Sequence, residues 1–168
     1  MAQPARRPRT LVTKTITVPG NLREGVREFN THRFFEAHES LEEIWQQERG
    51  DVRDLYKGLI QVAAAWVHVR RNNAFGVRRL LTTALGYLAP YRPEGAMGLN
   101  VEEIAAASER TLAQLDRIGD DRAEELYPDF VPVYRLAEEQ IPAEAMRWDA
   151  WGFDAHGNEV PMEITVAE

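Results

Sequence analysis

Two histidines and their acidic neighbours are the residues of this chain whose types and spacing could best do chemistry. His38 and Glu42 stand four apart in Phe-Phe-Glu-Ala-His-Glu-Ser-Leu-Glu-Glu-Ile-Trp (34–45), so a helix would make their side chains neighbours, with Glu39 alongside. In the next apolar segment Gln61, His68 and Asn72 recur at spacings of seven and four, and Asn73 follows. Three readings fit these residues. His38, Glu42 and His68 could ligate a divalent transition metal with a water in the open position, Glu39 serving as a further ligand or base. Without a metal, His38, Glu39 and His68 are candidate acids or bases for work near neutral pH on a small polar ligand of unknown identity. In the third case His38, Glu39, Glu42, Gln61, His68, Asn72 and Asn73 form a polar cluster that fixes helix register and does no chemistry. His-Glu-x-x-Glu is not the His-Glu-x-x-His of zinc proteases, so that activity is not implied.

The elements that must position these residues are helices. At about 100° per residue, Phe34, Ala37, Leu41, Ile44 and Trp45 form one apolar stripe, and Phe35, His38, Glu39 and Glu42 lie on its flank. The segment from Val52 to Asn72 is apolar in nearly every direction, as a central packed helix is, apart from the strip of Gln61, His68 and Asn72. An antiparallel hairpin turning near Gly50-Asp51 would let the two polar strips face one another, and would put His38 or Glu42 within hydrogen-bond reach of Gln61 or His68. Leaving Gln61 or His68 buried and unpaired would cost about 1–3 kcal/mol each.

Phe29-Asn30, Phe34-Phe35-Glu36-Ala37-His38-Glu39, Leu41-Glu42 and Trp45, followed by Gly58-Leu59-Ile60-Gln61, His68, Asn73 and Gly76, resemble the DUF309 family of small helical proteins. The resemblance covers about residues 22–90. It implies an all-α core and brings no established activity with it.

Other elements follow from the same rules. Thr10–Pro19 alternates like a strand. Asn21-x-x-Glu24 reads as a capping box opening a helix to Asn30, and Asp51, Asn73 and Asn100 read as the caps of three more. Val77, Leu80, Leu81, Ala84, Leu85 and Leu88 mark a fourth helix, and Val101, Ile104, Ser108, Leu112 and Leu115 a fifth, reaching Ile118. Tyr127–Pro132 is too proline-rich for a helix and should wrap over the bundle. Residues 134–140 are expected to be helical. Trp151–Asp154 and Glu159–Val166 flank a hairpin turn at 155–158, and the strand-like pieces at the two ends of the chain could pair. The expected architecture is all-α: one array or bundle of five to six helices over 21–145, a basic tail and strand over 1–20, and a hairpin-like appendage over 146–168.

Composition narrows the classes of function. The 168 residues, 44% hydrophobic and 28% charged, describe one ordinary globular core, and no apolar run is long enough for a membrane span. No secretory leader is recognisable, so a cytoplasmic location is expected. Without cysteine there are no disulfides and no thiolate metal sites. A net charge of −7 makes nucleic acid an unfavourable partner. Arg70, Arg71, Arg78 and Arg79 bracket one turn, where a solvated face is expected before an anion site. Trp148, Trp151 and Phe153 cover apolar surface, in this chain or in a second copy of it. No phosphate loop or nucleophile elbow is present. These readings favour a non-catalytic binding or assembly module, with a metal-assisted hydrolase using His38, Glu42 and His68 as the rival.

Overall fold

The computed structural model describes residues 11–16, 20–92, 95–136, 140–142, 151–153, 159–161 and 164–167, with side chains placed over 21–92 and 95–136. Five helices make the body: α1 (Gly20–Asn30), α2 (Phe34–Gln47), α3 (Arg53–Arg70), α4 (Ala74–Leu88) and α5 (Val101–Ile118). Short 3-10 segments follow α4 at Ala89–Tyr91 and α5 at Asp120–Leu126. The fold is all-α, as the periodicity requires.

Each helix buries the stripe that its sequence predicts. Phe34, Ala37, Leu41 and Ile44 of α2 pack inward, and ten residues of α3 are buried, because α3 runs between α2 and α4. Close approach of α3 and α4 depends on Gly58: a Cβ there would lie 2.6 Å from Leu88 Cδ2. In α5 the buried hydroxyls of Ser108 and Thr111 donate to the carbonyls of Ile104 and Ala107 at 2.9 and 2.7 Å, so the helix itself satisfies them.

Strands at the two ends of the sequence pair with each other. β1 (Leu11–Ile16) lies between β2 (Gln140–Pro142) and β5 (Ile164–Ala167), antiparallel to both. β3 (Trp151–Phe153) and β4 (Glu159–Pro161) form an antiparallel hairpin with Gly152 opposite Val160. The expected strand Glu159–Val166 is thus two strands in two different sheets.

Several local expectations need correction. Asn21 lies inside α1, which already starts at Gly20, and its amide donates to Glu43 at 2.8 Å instead of capping. Glu24 pairs with Arg27. Val52, not Asp51, precedes the first residue of α3, and the Asp51 carbonyl accepts from the Tyr91 hydroxyl. Asn100 makes no cap hydrogen bond. Its amide donates to Val133 O at 2.9 Å and accepts from Arg135 N at 2.8 Å, which holds an extended strap over 131–136 where a helix from 134 was expected. Asn30 binds the same strap through Tyr134, donating to its carbonyl at 2.7 Å and accepting from its N–H at 2.8 Å. Tyr134 is buried, stacks on Phe29 at 3.7 Å, and donates its hydroxyl to Leu59 O at 3.0 Å.

Candidate functional site

The hairpin of α2 and α3 closes as the sequence suggests. Arg53 and Lys57 lie over the Trp45 ring at 4.1 and 4.3 Å, which fixes the start of α3 beside the end of α2. The polar strips nonetheless do not join. His38 Nε2 is 3.6 Å from Glu42 Oε2, a long contact with both side chains about one-third exposed, while His38 Nδ1 is buried without a hydrogen-bond partner among the described residues. Glu39 points outward. Gln61 makes no hydrogen bond to His38, Glu42 or His68 among the described residues. Phe35, on the same flank, is 55% exposed and lies beside His38.

His68 turns the other way, toward α4. Its Nδ1 is 2.9 Å from Asn73 Nδ2, and Asn73 Oδ1 accepts from Gly76 N at 3.2 Å. Because the amide oxygen takes that N–H, the Asn73 nitrogen donates to His68, which must then carry its proton on Nε2. Partial burial, with Arg71 and Arg79 nearby, pushes the His68 imidazole below its usual value, so the neutral form this bond needs is favoured. Asn73 is therefore the cap expected of it. Asn72, at φ 52° just beyond α3, accepts from Glu124 N at 3.0 Å and donates to Asp121 O at 2.9 Å, tying down the 3-10 segment after α5.

The seven residues of the expected cluster thus separate into a His38–Glu42 pair, a His68–Asn73 turn and an Asn72 latch, with Glu39 and Gln61 in neither bond set. His38, Glu42 and His68 do not converge on one point, and no group of three or more His, Cys, Asp or Glu among the described residues is placed to hold a metal ion. The physical reason is the position of α3 between two helices. A polar strip on it can satisfy itself on either side, and His68 does so within its own turn.

A different feature emerges where α2 begins and α3 ends. His32, Arg33, Phe34, Phe35, Glu36, Val67, Arg70 and Arg71 line a shallow groove of about 380 Å³. Tyr127 supports it from below: His32 Nδ1 lies 2.7 Å from the Tyr127 hydroxyl, and the Arg70 guanidinium lies over the Tyr127 ring at 4.0 Å. Arg33 has only a 3.9 Å contact with Glu36, and Arg71 has no ion pair among the described residues. Phe35 borders this groove, and Phe75, 76% exposed, stands on the first turn of α4. Arg78 does not contribute, being committed to Asp116 and to Asp120 at 2.7 Å. The four-arginine set is therefore divided, and Arg33 and His32 belong with Arg70 and Arg71 instead. The sequence carried one usable signal for this end, Phe35 and Phe75 standing off the apolar stripes of their helices. The possible self-association face at Trp148, Trp151 and Phe153 lies outside the residues whose side chains are described.

An all-α array with its polar residues spent mainly on turns, and an arginine-rich groove at one end, defines a small helical domain without an assembled metal or nucleophile centre among the described residues. Residues 22–80 match the family model described as "Domain of unknown function (DUF309)", so this segment of the chain is similar to that family. The chain is 33% identical over 90 residues to the uncharacterised protein YpuF of Bacillus subtilis (strain 168), an alignment covering 52% of each. It is also 33% identical over 92 residues to an uncharacterised protein of Aquifex aeolicus (strain VF5), covering 54% of this chain and 27% of that one. The chain therefore matches about half of one relative's length and about a quarter of the other's. No solved structure matches. Among the described residues no helix is long and apolar enough to cross a membrane.

Proposed function

We propose that this chain is a non-catalytic binding module that docks a partner on the end of the array formed by the α1–α2 turn, the last turn of α3 and the first turn of α4. The observation that carries this reading is the 55% exposure of Phe35 on a groove lined by arginines that the fold leaves largely uncommitted, together with the 76% exposure of Phe75 on the first turn of α4. Of the large apolar side chains described, only these two and Val133 stand so far out of the core. Aromatic and arginine side chains are the residue types that contribute most to protein interfaces. Folding does not explain their placement, because their burial contributes little to the core and exposed apolar surface is disfavoured in isolation. The residues first suspected of chemistry have structural work in this reading: His68 and Asn73 set the α3–α4 turn that presents Phe75.

Site-specific photo-crosslinking in the native cells tests it. A photoreactive residue at position 35 or 75 should give a discrete adduct, and the same residue at Gln46, on the far end of α2, should not. Arg71→Glu should abolish the adduct. Equal labelling from all three positions, or none from 35 and 75, would contradict the docking reading.

A further inference from the structure

Resting on that docking reading, we infer that the occupant of this end is a short acidic segment of a partner protein, carrying one or two carboxylates next to an apolar side chain. Charge complementarity is the first argument. In a chain of net charge −7, the groove gathers Arg33, Arg70 and Arg71 against the single carboxylate of Glu36. The second is the form of the cation. Arg70 lies over the Tyr127 ring at 4.0 Å with no carboxylate partner among the described residues, and a guanidinium is the cation that can meet a carboxylate with two parallel hydrogen bonds. Arg71 adds an unpaired guanidinium on the same lining.

Size and surroundings select a short segment over a long polyanion. A groove of about 380 Å³ admits one or two side chains. Glu36 lines the groove and Glu39 follows it on α2, while Asp121 and Glu124 stand exposed on the 3-10 segment tied to Asn72, the neighbour of Arg71 in sequence. A nucleic-acid backbone or a charged lipid surface would have to pass over these carboxylates within a Debye length, about 8 Å at physiological salt. A peptide places its charge in the groove and leaves the borders free. Phe35, on the groove's edge, supplies the apolar contact that an acidic residue alone would not use.

The test is fluorescence anisotropy with a labelled ten-residue peptide, Glu-Leu-Glu-Glu-Phe repeated twice with blocked ends, on the full chain. Saturable binding is expected, weakened about tenfold or more by the Arg33→Glu/Arg71→Glu variant, by lysine in place of every glutamate, or by serine in place of Leu and Phe, each tenfold step corresponding to about 1.4 kcal/mol. Raising salt from about 0.05 to 0.3 M should weaken it several-fold. Arg33 and Arg71 are both exposed, and a thermal melt of the variant verifies that the fold survives. Absence of saturable binding at millimolar peptide, or equal binding of glutamate and lysine peptides, overturns the inference. So does tighter binding of a twelve-nucleotide single-stranded DNA or of phosphatidylserine vesicles. If the peptide fails while adducts from positions 35 and 75 persist, the occupant is wrong and the docking end stands; if the adducts are missing too, both fall.

Discussion

Alanine in place of Gly76 should destabilise this protein, although alanine is the better helix former. A Cβ at Gly76 would stand 2.8 Å from both Cγ and Nδ1 of His68 and 3.0 Å from Asn73 Nδ2. Those are ring and amide atoms held by one another, not a loose side-chain end. The ring must move, and the His68–Asn73 hydrogen bond, about 0.5–1.5 kcal/mol, goes with it. Overpacking adds about 1–3 kcal/mol. Helix propensity returns about 1 kcal/mol, leaving a net loss of about 0.5–3.5 kcal/mol. Gly86 is the internal control: it lies exposed in the same helix, and a Cβ there meets nothing within 4 Å. Gly86→Ala should therefore stabilise by about 0.5–1 kcal/mol. Urea unfolding followed by circular dichroism, with a common slope, measures both. If Gly76→Ala proves as stable as Gly86→Ala, the packed His68–Asn73–Gly76 turn does not exist as described.

Two further outcomes follow from buried and titrating groups. Tyr56 is fully buried and its hydroxyl has no hydrogen-bond partner among the described residues, while burial, with Glu48 and Tyr91 nearby, raises its ionisation well above the usual range. Tyr56→Phe removes that unsatisfied oxygen and should raise stability by up to about 1–3 kcal/mol, read as a higher urea midpoint; a lower midpoint would mean that the hydroxyl is satisfied. His68 should titrate below the ordinary histidine value of about 6.5 in a carbon-detected NMR pH series, and Arg79→Ala should move it upward. Since folding lowers its affinity for protons, its contribution to stability is complete above the unfolded value and is lost as pH falls from there through the folded value. A His68 that titrates above its unfolded value reverses that dependence.

Much of the fold was legible because helix periodicity reports which face is buried. The stripe of Phe34, Ala37, Leu41 and Ile44, the all-round apolar α3, and the cap at Asn73 all came from spacing alone. What periodicity does not report is the neighbour that a face meets. His68 shares a strip with Gln61 that was expected to face α2, yet it bonds within the α3–α4 turn, where Gly76 leaves room for the ring. Asn72 could not belong to the strip, because the helix ends at Arg70 and the chain has turned by Asn72. Asn30 and Asn100 were invisible as strap anchors, since an asparagine near a helix end reads as a cap and its real partners, Tyr134, Val133 and Arg135, lie 33 to 104 residues away in sequence. The arginine-rich groove was missed for the same reason: Arg33 and Arg70 come from elements 37 residues apart and meet only when α2 and α3 pair.

The docking end is tested most directly by recording amide NMR spectra of the isotopically labelled protein in a concentrated extract of its own cells. Signals from residues 32–36 and 70–76 should broaden selectively, recover at high salt, and remain sharp in the Arg33→Glu/Arg71→Glu variant. Broadening centred instead on α5 or on the far end of α2, or broadening indifferent to salt and to charge reversal, would contradict a partner site at this end.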